Sequence, residues 1–194
     1  MEACLPCTQR FLVLSMVYGA IIPELQIDGR PAPYGVVNER AVRATAGIMF
    51  LVGITTFVLI RTTGSSVPLS VTVPLFWMDF LLRVVLGPER SMFAVAGAWM
   101  VRNQKPEWVG AVQKRFAWSI GLAFASVMIV LALFMGVRGW IPLSICMVCL
   151  AFLWLESSAG ICVGCSVYSW LLRNKWLPEP AVRPACPGGV CALR

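Results

Sequence analysis

The chain contains no histidine. That absence removes the usual axial ligand of haem, the imidazole ligands of zinc and non-haem iron sites, and every Ser-His or Cys-His catalytic dyad. Charge is also scarce: 13% of residues are Asp, Glu, Lys or Arg, against 59% hydrophobic, which lies outside the range of an ordinary soluble domain. Acidic residues are the scarcer sign, 9 against 16 basic, for a net charge of +7. The basic residues flank apolar runs instead of forming a stripe or interleaving with aromatics. They therefore read as membrane topology signals, with no nucleic acid as partner. A cleavable leader is not expected either, since Glu2 precedes the first Arg, the run from Phe11 to Ile22 is short and no small-x-small site follows it.

What is present in quantity is long apolar sequence. Crossing a hydrocarbon core of roughly 30 Å takes about 20 residues as a helix. Four segments meet that length: Ala41–Ile60, Val67–Leu86, Phe116–Val137 and Trp140–Gly160, the last with a helical continuation towards Arg173. The short connections RTTGSS and VRGW imply antiparallel neighbours. These unbroken runs lack the alternation of a membrane barrel, so a helical bundle follows. Between spans two and three, an apolar run of about eleven residues with charged flanks is too short to span and reads as an in-plane helix. The expected fold class is therefore all-α, an integral membrane bundle of four transmembrane helices with an in-plane helix between spans two and three.

Around residues 37–173, which hold this bundle, residues 1–36 read as an extension and residues 174–194 as a flexible Cys-containing tail. In the extension, Phe11 to Leu25 is expected to form an interfacial helix, with a fifth crossing as the alternative. Lys and Arg concentrate before span one (Arg30, Arg40, Arg43), in the central loop (Arg90, Arg102, Lys105, Lys114, Arg115) and after span four (Arg173, Lys175, Arg183, Arg194), with only Arg61 and Arg138 opposite. Basic residues mark cytoplasmic loops, so both termini are expected in the cytoplasm. Trp77, Trp99, Trp108, Trp118, Trp140, Trp170 and Trp176 lie mostly near span ends, where their rings anchor at the interface.

Apart from Arg43 in the first turn of span one, three charged residues fall inside spans. Asp79 and Arg83, four apart, share a helix face and can pair; Glu156 lies in the same half of the membrane and is expected to join them as a polar cluster. Such groups cost on the order of 3 kcal/mol at the bilayer centre unless partnered. The cluster is either a proton or anion site or an ion pair internal to the bundle.

The eight cysteines form four close pairs. Cys146 and Cys149 sit in a continuous helical run, where an i,i+3 disulfide is strained, and read as packed thiols. Cys162 and Cys165 are flanked by Gly160 and Gly164, which permit either close helix contact or a loosened helix end; they are the candidate reactive pair, expected within reach of water. Cys4, Cys7, Cys186 and Cys191 lie in segments with little else to hold them, and could together form one Cys4 zinc or iron-sulfur site.

The blocks VNERAVRATAGIMFLVGI, FWMDFLLRVVLGPERSMFAVAGAWMV, KPEWVGAVQKRFAWSIGLAFA and LESSAGICVGCSVYSWL resemble those of an uncharacterised bacterial membrane family, domain of unknown function 4395. The resemblance runs from about Val37 to Leu172. It implies a four-helix domain in a bacterial inner membrane, with a Cys-x-x-Cys near the last helix end matched here by Cys162 and Cys165. Some relatives are joined to thioredoxin-like or rhodanese-like domains, which implies thiol or sulfur chemistry and partners of those kinds.

Three functions remain open from the sequence. One is a membrane thiol protein, with Cys162 as nucleophile, Cys165 as resolving thiol, and Arg83 or Lys114 and Arg115 favouring the thiolate. Another is an accessory subunit packing on a larger membrane complex. The third is transport of a small anion or sulfur species through Asp79, Arg83 and Glu156.

Overall fold

With no water in a bilayer to satisfy backbone groups, an apolar run must satisfy them internally. The computed structural model describes residues 19–20, 22, 25–27, 30–31, 34–137 and 139–177. It folds the four apolar runs as helices long and apolar enough to cross a membrane. Helix α1 spans Glu39–Thr63 and α2 spans Val67–Val85. The short helix α3, Met92–Met100, follows a tight Pro88–Arg90 turn. The third span is α4, Ala111–Met128, extended by a π-helical stretch to Phe134; the fourth is α5, Trp140–Trp154, extended likewise to Ala159. A final helix α6 runs over Val163–Arg173.

Local sequence explains the ends. Asn38 caps α1, its Oδ1 accepting from Arg40 N at 3.1 Å and from Glu107 N at 3.2 Å, so one side chain ties two chain segments together. Gly64, at φ 67°, ends α1 in the left-handed conformation that glycine adopts without strain. Ser91 caps α3 by accepting from Ala94 N at 3.1 Å.

Among the described residues the regular structure is helical apart from four short strands that the apolar patterning does not announce. Gln26–Ile27 (β1) pairs with Arg30–Pro31 (β2), and Val36–Asn38 (β3) pairs antiparallel with Trp108–Gly110 (β4). The β3–β4 pair brings the starts of α1 and α4 side by side. Residues 11–18, most of the expected interfacial helix, lie outside the described residues. At its far end the helix reading fails, because Ala20 bridges to Val36 as extended chain.

Two helix boundaries differ from those expected, and both change which side chains face the interior. The third span begins five residues early, at Ala111, so Lys114 and Arg115 lie on a helix and not in a loop. The expected continuation of span four to Arg173 is broken, because Gly160 at φ 67° stops the helix and α6 starts afresh.

Packing at the basic end depends on small residues. A Cβ at Gly97 of α3 would come within 2.8 Å of the Ala41 carbonyl of α1, and one at Gly164 of α6 within 2.5 Å of the Ala117 Cβ of α4. Gly164→Val should therefore destabilise the protein by about 1–3 kcal/mol, the usual overpacking cost, and lift α6 from α4; the midpoint of unfolding in mild detergent measures it. Large apolar side chains such as Leu51, Val71, Phe134 and Met147 stay exposed on the outer faces, as a lipid-facing surface requires. Trp118 departs from the interfacial reading: it is buried, stacked beside the Arg83 guanidinium at 5.8 Å.

Candidate functional site

Asp79 and Arg83 do form an ion pair, buried one turn apart on α2. Their other contacts point to the α3 turn. Ser91 Oγ donates to Asp79 Oδ1, which also accepts from Phe93 N at 3.2 Å, while Arg83 Nε donates to Ser91 Oγ at 3.1 Å and Nη2 faces Met49 Sδ. Asp79 thus binds the free amide of a helix N-terminus, a stabilising place for an anion. The pair locks α3 to α2 and α1.

Glu156 does not join it. Its Oε1 accepts from Lys114 Nζ at 3.0 Å, and the same ammonium lies 2.8 Å from Glu39 Oε2. Lys114 is completely buried and Glu39 nearly so. The Lys114–Glu39 contact is a charge pair without hydrogen-bond alignment, and Glu39 Oε1 has no partner among the described residues. The expected three-residue cluster is therefore two separate clusters, one around Arg83 and one around Lys114.

The reason lies in the end of α5. Ser157 and Ser158 both turn their hydroxyls back onto the Trp154 carbonyl, at 3.3 and 2.6 Å, and such back-bonding competes with the regular helix ladder. The helix loosens into a π turn over Leu155–Ala159, an insertion often found at functional sites. Glu156 sits in that turn and reaches α4. Arg43 of α1 closes the frayed end, its Nη2 donating to Ser158 O at 3.2 Å and, more weakly, to Ser157 O at 3.4 Å.

After the break the chain re-enters a helix at Cys162. This residue is the N-cap of α6, in extended conformation at φ −88°, ψ 101°, and its Sγ accepts from Cys165 N at 3.3 Å. A sulfur here does what Ser, Thr, Asn or Asp usually does. Cys162 is outside the regular helix, so the strain argument against an i,i+3 disulfide does not apply to this pair. The neighbouring Cys162 sulfur, followed by burial, pushes the Cys165 thiol well above the ordinary thiol range. Both sulfurs lie within electrostatic reach of the Lys114 ammonium. Cys162 caps a helix N-terminus within electrostatic reach of a cation, the setting in which nucleophilic cysteines occur.

The surrounding charges balance: Glu39 and Glu156 against Lys114 and Arg43, which also acts on Glu39. Of the cations expected to favour a thiolate, Lys114 is in place. Arg83 is engaged by Asp79, and Arg115 points away, its Nε donating to Val84 O at 2.9 Å. The burial of the pair differs from expectation: Cys162 is 7% exposed and Cys165 3%. Cys162 lines a partly open cavity of about 370 Å3 running between the four spans. The described cysteines, Cys146, Cys149, Cys162 and Cys165, are all free. Among the described residues no three potential ligands converge on a metal-sized site. Cys4, Cys7, Cys186 and Cys191 lie outside the described residues.

Sequence reading missed Glu39 and the inward role of Arg43. A signal existed: Glu39 is in phase with Val42, Ala46, Met49, Gly53 and Thr56, the buried stripe of α1. A carboxylate in phase with an interior face needs an interior partner.

A family model described as Domain of unknown function (DUF4395) matches residues 37–173. No curated protein and no solved structure matches the chain.

Proposed function

The chain belongs to the DUF4395 family, and from the geometry at the end of its fourth span we propose that it is a membrane thiol protein whose Cys162 and Cys165 cycle between dithiol and disulfide. The observation that carries this reading is the arrangement at the start of α6: Cys162 caps the helix, accepts from Cys165 N and lies with Cys165 in a buried place within electrostatic reach of Lys114. In exchange with a disulfide, Cys162 attacks one sulfur of the substrate and expels the other as a thiol. Cys165 then attacks Cys162 of the mixed disulfide and releases the second thiol, its own proton passing to a nearby carboxylate, of which Glu156 is one. The excess of Lys and Arg at this end supports a cytoplasmic location for it, in the inner membrane of a bacterium. A thioredoxin-like or rhodanese-like partner is the matching chemistry on the soluble side.

Transport finds less support, because Asp79 and Arg83 hold each other and the α3 turn, and Glu156 is spent on Lys114. The test of the thiol reading is the redox state of the pair. Membranes are quenched with acid, labelled with a maleimide before and after a disulfide reductant, and digested for peptide mass. A Cys162–Cys165 disulfide that forms under mild oxidation and reopens on reduction is expected. A pair that stays dithiol at every potential tested sinks the proposal.

A further inference from the structure

We infer that the partly open cavity beside Cys162 takes a membrane quinone, which withdraws the two electrons of the Cys162–Cys165 dithiol. The inference rests on the thiol reading above, with the exchange run in reverse so that two thiols of the soluble partner reduce the Cys162–Cys165 disulfide and leave as a disulfide, and it supplies the acceptor for the two electrons they place on the pair.

The cavity, about 370 Å3, is within the range of small-molecule sites. Its wall is aromatic and aliphatic, with Phe76, Phe80, Phe124, Trp118 and Leu150 among the lining side chains. At the end remote from Cys162, Thr56 and Thr72 spend their hydroxyls on each other at 2.8 Å and the packed thiols Cys146 and Cys149 are the other hetero-atom groups of the wall, so that part offers little to a polar ligand. The polar groups of the lining gather at the other end, where Arg83, Glu156 and Cys162 meet it. A ligand that fits this gradient has a ring with hydrogen-bond acceptors at one end and a hydrocarbon tail at the other. It must also enter from lipid, since the walls come from the four spans and α6. Nucleotide cofactors carry phosphate charges that the apolar wall would leave unpaired. An acyl chain fits the wall but accepts no electrons and leaves the polar end unused. A quinone meets every condition.

The reaction balances without a further reagent. Two S–H bonds break and one S–S bond forms between Cys162 and Cys165; two electrons and two protons pass to the quinone, whose carbonyl oxygens each gain an O–H bond as it becomes the quinol. Cys162 is the sulfur that meets the ring, since it lines the cavity and Cys165 does not. Lys114 and Glu156, in contact with each other, lie where the thiol protons must move.

The experiment uses the full chain, reduced and purified in mild detergent, with decylubiquinone as the probe. We expect one quinone reduced for each Cys162–Cys165 disulfide formed, and none in Cys162→Ser. Two cavity-filling variants away from Cys162 and Cys165, Val73→Trp and Ala125→Trp, are expected to slow quinone reduction roughly tenfold or more, while oxidation of the same dithiol by a water-soluble aromatic disulfide is unchanged; either variant suffices if the other does not fold. If the soluble disulfide oxidises the pair and decylubiquinone does not, the inference is overturned and the thiol reading stands. If neither oxidises it, both are overturned. Tightly held phospholipid that decylubiquinone cannot displace, with no quinol formed, makes the cavity an acyl-chain site and overturns the inference.

Discussion

Cys165→Ser should trap a stable mixed disulfide on Cys162, and Cys162→Ser should lose the fast reaction altogether. With an aromatic disulfide as reagent, the wild type is expected to release two aromatic thiols per pair, the second as Cys165 closes onto Cys162. Cys165→Ser should release one and keep the other. The physical basis is asymmetry. The Cys165 thiol is buried beside the Cys162 sulfur, and both raise it above the ordinary thiol range. Exchange rates follow the thiolate fraction of the attacking sulfur. In Cys162→Ser the burial of Cys165 persists, so its reaction at neutral pH should fall on the order of 100-fold below that of Cys162 in Cys165→Ser. It should recover only as pH rises beyond the usual thiol range. Peptide-resolved mass spectrometry keeps the other cysteines out of the measurement. Equal reactivity of the two single variants would show that the cap position of Cys162 and the burial of Cys165 do not differentiate them.

Lys114→Met is expected to be the most damaging single substitution outside the backbone. It leaves Glu39 and Glu156 facing each other across a buried space without the ammonium that lies 2.8 and 3.0 Å from them. Breaking a buried ion pair by removing one partner typically costs about 3–5 kcal/mol, because the remaining charge stays desolvated. Glu156 keeps some exposure, 16% of its side chain, which places the expected loss at the lower part of that range. The triple change Glu39→Gln, Lys114→Met, Glu156→Gln removes all three charges at similar volume and should restore most of the stability, since an uncharged replacement of a buried network is often neutral or better. Unfolding midpoints in detergent micelles measure both. A Lys114→Met protein as stable as wild type would mean that water reaches this cluster freely.

Much of the architecture was legible because lipid leaves few choices. Runs of about 20 apolar residues between charged flanks must be helices, and the four spans fall within a few residues of where hydropathy puts them. The GPERS turn and the short apolar helix after it were readable too, from a proline-glycine turn followed by a segment too short to cross. The β3–β4 pairing was not, because Val36–Asn38 and Trp108–Gly110 are three-residue strands some seventy positions apart whose partnership no local pattern encodes. That pairing draws Ala111 into register beside the start of α1, and with it brings Lys114 inside.

The site divides along the same line. Composition and spacing established a membrane bundle without histidine chemistry, singled out Cys162 and Cys165, and marked Asp79, Arg83 and Glu156 as intramembrane charges needing partners. Tertiary structure chose the partners. Asp79 went to Arg83 and the α3 turn, Glu156 to Lys114, and Cys162 to the N-terminus of a new helix facing a cavity. The reason is helix phase. A hydropathy pattern gives the length of a span, but the π turn at Leu155–Ala159 and the left-handed Gly160 rotate everything after them, so the direction in which Glu156 and the two thiols point depends on side-chain and backbone bonds that form only when α1, α4 and α5 have met.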